Sequence, residues 1–162
     1  MHLRRRMLAV FLAVVVSALE ASAATSAQFV TPAPRDKCPV CGMFAVKYPD
    51  WIAEVLYKDG SYAVFDGPKD LFKYLADLKQ YAPGKERKDI GSILVNDYYA
   101  VRPINGFEAY YVVGSDVLGP MGRELIPFER EQDAREFMKD HRGGKILRFN
   151  DVTPAVLRSL EQ

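Results

Sequence analysis

Imidazole and thiol are scarce in this sequence: its 162 residues hold two histidines and two cysteines. That scarcity excludes a disulfide-stapled miniprotein and limits any site built from nitrogen or sulfur donors. Charge of one sign is lacking as well. Lys and Arg number 22 against 21 Asp and Glu, a net charge of +1, so no global basic field is available to hold nucleic acid or an anionic membrane surface. No phosphate-cradling glycine loop and no Ser-His-Asp arrangement is evident. What remains is about half hydrophobic and 27% charged, the profile of one ordinary globular domain.

The start of the chain carries an export pattern. Arg4-Arg5-Arg6 precede an apolar run from Met7 to Leu19, and Ala21-Ser22-Ala23 supply a small-residue cleavage site; residues 1–23 are therefore expected to be a secretory signal. The run is short for a bilayer span, so membrane contact would come only through a retained signal or a membrane-bound partner. Cleavage after Ala23 removes three Arg and one Glu and takes the net charge from +1 to −1. It also leaves His141 as the single histidine. Arg35-Asp36-Lys37 ahead of Cys38 is no lipid-attachment signal. The expected location is the periplasm, where an unprotected cysteine pair tends to oxidise.

Residues 24–37, rich in Ala, Ser, Thr and Pro, are expected to form a flexible linker, with the folded domain spanning 38–162. Within it, Ile52 to Tyr57, the turn pair Asp59-Gly60 and Tyr62 to Phe65 predict a hairpin. A helix follows over Asp66 to Lys79, with Leu71, Phe72, Leu75 and Leu78 on one face. The segment 65–77 can be laid without gaps over 128–140, and each is followed by a similar strand, from Ile93 and from Ile146. A second hairpin, Ala109 to Val113 with Glu124 to Phe128, precedes the second helix. The expectation is an α+β fold of two related ββαβ units, about 38–100 and 101–162, with a short last helix capped by Thr153. Trp51, Tyr48, Tyr57 and Tyr62 are expected to cluster in the core near the first hairpin.

Cys38-Pro39-Val40-Cys41-Gly42-Met43 is the densest chemical feature. Two cysteines three apart can serve a metal, a redox disulfide or a small structural disulfide. Two Cys and one His cannot complete a structural zinc site or a blue-copper centre within one chain. A thioredoxin-like role would place the pair at the start of a helix in a βαβ unit, whereas this pair precedes every predicted strand. Methionine placement favours a metal. After residue 23 only Met43, Met121 and Met138 remain; Met138 fits a helix face, but Met43 follows Cys41 across a glycine and Met121 stands in the turn Gly119-Pro120-Met121-Gly122. Thiolate plus thioether is the soft donor set that selects Cu(I). Asp66 is expected to cap the first helix, and His141 to serve the C-terminus of the second, with a ligand role for His141 left open.

The Cys-Pro-Val-Cys-Gly-Met run, Phe65-Asp66, the Gly119-Pro120-Met121-Gly122 loop with Glu124 to Pro127, and His141 to Phe149 together resemble the NosL family, copper-binding accessory proteins of periplasmic nitrous oxide reductase. The resemblance covers nearly all of the chain beyond the signal. It implies a non-enzymatic Cu(I) metallochaperone with the two-unit fold, Cu(I) held by Cys41, Met43 and Met121, and a periplasmic cuproenzyme or its assembly complex as recipient. Cys38 is an extra donor relative to that pattern, as a second thiolate or an exchange partner. Many family members are lipoproteins, and this chain lacks the lipid signal. The other reading of the residues is a periplasmic thiol-disulfide oxidoreductase using Cys38 and Cys41.

Overall fold

The computed structural model describes residues 29–162; the expected signal and the first part of the expected linker lie outside them. Two sheets form from strands whose side chains alternate between two buried faces. The first has the order β2-β1-β3-β4, with β1 Ala53–Tyr57, β2 Tyr62–Phe65, β3 Ile90–Asn96 and β4 Pro103–Asn105, all neighbours antiparallel. The second has the order β8-β5-β9, from β5 Tyr110–Val113, β8 Ile126–Phe128 and β9 Lys145–Arg148. Between β5 and β8 a two-stranded hairpin, β6 Leu118–Gly119 and β7 Gly122–Arg123, projects with Pro120 and Met121 at its tip.

The helices are α1 Pro68–Ala76, the short α2 Leu78–Tyr81, α3 Glu131–Asp140 and α4 Pro154–Ser159. Both units thus run strand, strand, helix, strand, with the first strand in the middle. The sequence overlay places Pro68 on Glu131, and these are the first residues of α1 and α3. As expected, the Thr153 hydroxyl caps α4, accepting from the Val156 N–H at 3.4 Å.

Register decides which face meets which helix. Ala53, Val55 and Phe65 share a buried cluster with Leu71, Phe72, Tyr74 and Leu75 of α1 and with Tyr111, Val113 and Leu147 of the second sheet. The Phe72 and Tyr111 rings meet edge-on at 5.1 Å, so α1 touches both sheets. The alternate residues of the second sheet, Val112, Ile126 and Phe128, pack with Ala134 and Phe137 of α3 in a separate cluster. Residues 29–37, the second part of the expected linker, lie against the first sheet. Phe29 packs on Ala45, Ile52 and Val64, and the Val30 N–H donates to Glu54 Oε2 at 2.9 Å.

The expected aromatic cluster is instead divided. Trp51 pairs with Tyr98 of the second cluster at 6.1 Å, the Tyr57 and Tyr74 hydroxyls share a hydrogen bond at 2.6 Å, and the Tyr62 hydroxyl donates to Asp36 at 2.6 Å. The strand pleat turns Tyr57 and Tyr62 to different environments, which sequence proximity conceals. Among the described residues no helix is long and apolar enough to cross a membrane.

Phe137 is fully buried and contacts Tyr98, Phe128 and His141 at centroid distances of 5.0, 5.1 and 4.4 Å. Phe137→Ala is expected to cost about 3–5 kcal/mol in chemical denaturation, the usual range for emptying such a site.

Candidate metal centre

The Cys38 to Met43 segment closes on itself before it meets the domain. The Cys38 N–H donates to the Met43 carbonyl at 2.8 Å and the Gly42 N–H to the Cys38 carbonyl at 2.9 Å, while Lys37 and Phe44 form an isolated bridge below the turn. Gly42 has φ +79°. A side chain there would meet no neighbour, so it is the left-handed backbone that calls for glycine. The turn is pinned to the start of α1 through its sulfurs. Cys38 Sγ donates to Asp70 Oδ2 at 3.3 Å and Cys41 Sγ to Asp66 Oδ1 at 3.2 Å. The two sulfurs and one oxygen from each carboxylate all lie within 4.8 Å of one another.

This cluster is nearly dry. Cys38 is 1% exposed, Asp66 0% and Asp70 2%, and Cys41 is half-buried. Burial pushes the Cys38 thiol far above its ordinary range and Cys41 up to about 11, opposed in each case by hydrogen bonds from the turn's backbone. Both cysteines are free thiols. Asp66 Oδ2 and Asp70 Oδ1 are buried without a hydrogen-bond partner. Lys73 Nζ stands 3.8 Å from the latter, too far for a hydrogen bond.

Asp66 does not cap α1 as expected. The N-cap is Gly67 in extended backbone, with no side-chain cap, and the carboxylate that serves the helix end arrives from the other unit. Glu124 Oε1 accepts the Lys69 N–H at 2.5 Å and the Leu125 N–H at 2.9 Å, satisfying one of the helix's orphan donors. Glu124 is wedged between two glycines. A Cβ on Gly67 would stand 2.4 Å from Glu124 Oε2, and one on Gly119 would stand 3.0 Å from Glu124 Cγ.

Next to this contact Lys69, itself buried, donates from Nζ to the Met121 carbonyl at 2.6 Å. Two polar contacts therefore tie the Met121 hairpin to the helix end that faces the thiols. Its tip is apolar and open to solvent, with Leu118 62% and Met121 42% exposed. Met43 rides half-buried on the cysteine turn itself. His141 takes the C-cap place expected for it: its N–H donates to the Phe137 carbonyl, its ring stacks on Phe137, and Nδ1 pairs with Asp116 Oδ1 at 3.3 Å. None of these partners belongs to the thiol cluster.

Of the predicted donors, Cys38 and Cys41 are brought together on one turn with Met43, and Met121 comes from the hairpin bound to Lys69. Asp70 and Glu124 were not foreseen. A signal for Asp70 lay in the repeat, which pairs it with Asp133. There Arg130 grips the aspartate through two hydrogen bonds of 2.7 Å, whereas the position matching Arg130 in the first unit is Gly67.

A family model described as NosL matches residues 29–157. A "Copper-binding lipoprotein NosL" of Stutzerimonas stutzeri is 31% identical over 130 residues, 76% of this chain and 65% of that protein. The match thus spans just under two thirds of that relative's length. A protein of the same name from Achromobacter cycloclastes is 29% identical over 172 aligned residues, 96% of this chain and 84% of that protein. Among solved structures, the "copper chaperone NosL from Shewanella denitrificans" superposes with a TM-score of 0.66 at 28% identity, covering 79% of this chain and 97% of that one. These names describe metal-binding proteins and not enzymes.

Two predictions test this geometry. Gly67→Ala is expected to destabilise by on the order of 2 kcal/mol in urea unfolding, since the new methyl must displace Glu124. The second concerns pH. Burial raises the Glu124 carboxyl from 4.5 to about 8, and burial likewise raises Glu54 from 4.5 to about 7. The folded chain then binds more protons than the unfolded chain between those values, so stability should fall as pH rises from about 4.5 to 8. Glu124→Gln should flatten the upper part of that profile, measured by denaturation at a series of pH values.

Proposed function

This chain belongs to the NosL family, and on that premise we propose that it is an exported Cu(I) carrier that hands its ion to a periplasmic cuproenzyme, nitrous oxide reductase assembly being the case the family suggests. The observation that carries the reading is the thiol pair on a turn that also bears Met43, with the Met121 hairpin fastened to the same helix end by Lys69 and Glu124. Copper binding is also the property for which the similar proteins are named. The lipoprotein names of the two relatives accord with export.

Cys41 supplies a thiolate and Met43 and Met121 thioethers, a soft set that suits Cu(I) at two or three coordination. Cys38 is a second thiolate or the exchange partner. Binding displaces the thiol proton, so affinity rises with pH until Cys41 would ionise unaided. The position of the donors sets the direction of transfer: Met121 stands on an exposed tip while Cys38 is sealed below. A client ligand therefore approaches from the hairpin side and replaces the thioether first, with the ion still held by sulfur. Through a shared intermediate of this kind the metal passes on without release into solvent.

Burial speaks against the oxidoreductase reading. A thiol-disulfide enzyme needs an accessible cysteine with a depressed pKa, and both thiols here are pushed the other way.

Anaerobic titration of the reduced chain against a chromophoric Cu(I) chelator is expected to show tight uptake of a single ion. Cys41→Ser and Met121→Leu should each weaken binding by at least about tenfold, the scale of a 1.4 kcal/mol loss. Absence of uptake by the reduced protein, or an unchanged affinity in both variants, would overturn the reading.

A further inference from the structure

Glu54 takes no part in the metal chemistry, yet it is a fully buried acid in the middle of a strand. On β1 it stands opposite Val64 of β2 and Leu94 of β3. Its neighbours Ala53 and Val55 join the main apolar cluster, so by the alternation of a strand Glu54 points to the other face of the first sheet. There it is covered by chain without regular structure. Phe29 packs on Ala45, Ile52 and Val64, and the Val30 N–H donates to Glu54 Oε2 at 2.9 Å. Glu54 is 0% exposed, and among the described residues its Oε1 has no hydrogen-bond partner. The arm that closes over it is fastened at its far end. Asp36 accepts the Ala33 N–H at 2.8 Å and the Tyr62 hydroxyl at 2.6 Å, and its own carbonyl accepts the Ala45 N–H at 3.2 Å. From Phe29 to Pro32, by contrast, the bond from Val30 to Glu54 is the one hydrogen bond among the described residues, and Pro32 has no N–H to offer.

We propose that residues 29–32 are a proton-operated latch on the outer face of the first sheet, closed while Glu54 holds its proton and opened when Glu54 ionises. An ionised carboxylate under the arm has one N–H and a bare oxygen, a poor exchange for water. The sheet cannot move aside to hydrate it, because β1 is paired on both sides. The arm can, because Phe29 and one hydrogen bond hold it. The surrounding groups give the charge no help. Asp36 at the base of the arm is negative and disfavours ionisation, and Tyr62 on β2 stays neutral. From β3 comes Leu94, and the segment beside the arm offers Ala45 and Ile52, with its Lys47 and Asp50 exposed. Burial raises the Glu54 carboxyl from 4.5 to about 7. The closed form therefore binds the proton more tightly than the open form, and closure weakens by up to about tenfold per pH unit as pH rises between those values. Opening adds up to roughly 13 Å of reach on the N-terminal side of the domain, at about 3.3 Å for each extended residue. For a carrier held on that side this is reach toward a client, a consequence that rests on the function proposed above, whereas the latch uses none of the Cu(I) donors.

The test is site-resolved proteolysis of the reduced, metal-free full chain by chymotrypsin, which can cut after Phe29 only when the arm is lifted. Cleavage there is followed by mass spectrometry at pH 5.5 and pH 8 and divided by the rate for a free peptide of residues 24–36, which removes the protease's own pH dependence. Where opening is fast relative to cleavage, this ratio follows the open population. In the wild type it should rise at least about tenfold between the two pH values. In Glu54→Gln, whose amide still offers Val30 an acceptor but cannot ionise, it should stay at the low level throughout. A second readout needs no variant: the Val30 amide resonance should titrate with the same midpoint as the Glu54 carboxyl carbon. Equal protection of the wild type at both pH values, the same rise in Glu54→Gln, or a Val30 resonance that does not follow Glu54 would overturn the latch. So would cleavage rising in step at Tyr111 and Phe137, both fully buried, since that is unfolding of the domain and not opening of the arm. The Cu(I) titration reads the carrier function separately, so that failure of either reading leaves the other standing.

Discussion

The contact on which the functional end of the molecule depends is the docking of a self-closed cysteine turn onto the start of α1 through two thiol-carboxylate hydrogen bonds. A six-residue turn has little surface of its own to bury, so its position must come from what it touches. Val40 and Cys41 lie against the main apolar cluster, and the polar ends of Asp66 and Asp70 set where the sulfurs stop. The cost is considerable, since two carboxylates are taken out of water with incomplete pairing. Such a cost is borne at functional sites more readily than in a core chosen for stability alone.

That helix end is also where the two units meet. In the second unit the aspartate in the first turn of α3 is held by Arg130, three residues before it, and the helix start is locally self-sufficient. In the first unit glycine replaces the arginine, and two things follow from one missing side chain. Asp70 is left free to face Cys38, and the vacated space admits Glu124, whose carboxylate takes over an orphan N–H of α1. The same glutamate fixes the root of the Met121 hairpin. A single divergence between the repeats thereby links the thiol turn of one unit to the thioether hairpin of the other.

Much of this was legible from pattern. Alternation gave β1 and β2 within a residue, and the gapless overlay of 65–77 on 128–140 put both helix starts at matching positions. Thr153 and His141 took the terminal roles that capping chemistry assigns them. Local rules failed at Asp66. An aspartate directly ahead of a helix is ordinarily its cap, but α1 begins at Pro68, one residue too late for Asp66 to hold that place; a partner 58 positions further along the chain, Glu124, serves the helix end and Asp66 is spent on Cys41. Asp70 and Glu124 were illegible for the same reason, because their partners are distant in sequence and nothing in local periodicity marks a buried acid. The repeat was the one source of nonlocal information, through the contrast of Gly67 with Arg130.

The placement of these side chains also bears on how a carrier of the proposed kind would bind firmly and still let go. Asp70 sits on α1, a helix that touches both sheets, with Asp66 just ahead of it, and the sulfur of Cys38 is sealed against them. The thioethers sit elsewhere, one on the turn and one on a hairpin whose own strands are two residues each. A ligand on so short a hairpin can be displaced at little conformational cost, since few backbone hydrogen bonds depend on it. Burial is therefore concentrated at the thiol turn and exposure at the hairpin tip. The buried Glu124 contact stands at the boundary between the two, holding the base of the hairpin while its tip remains open to a partner.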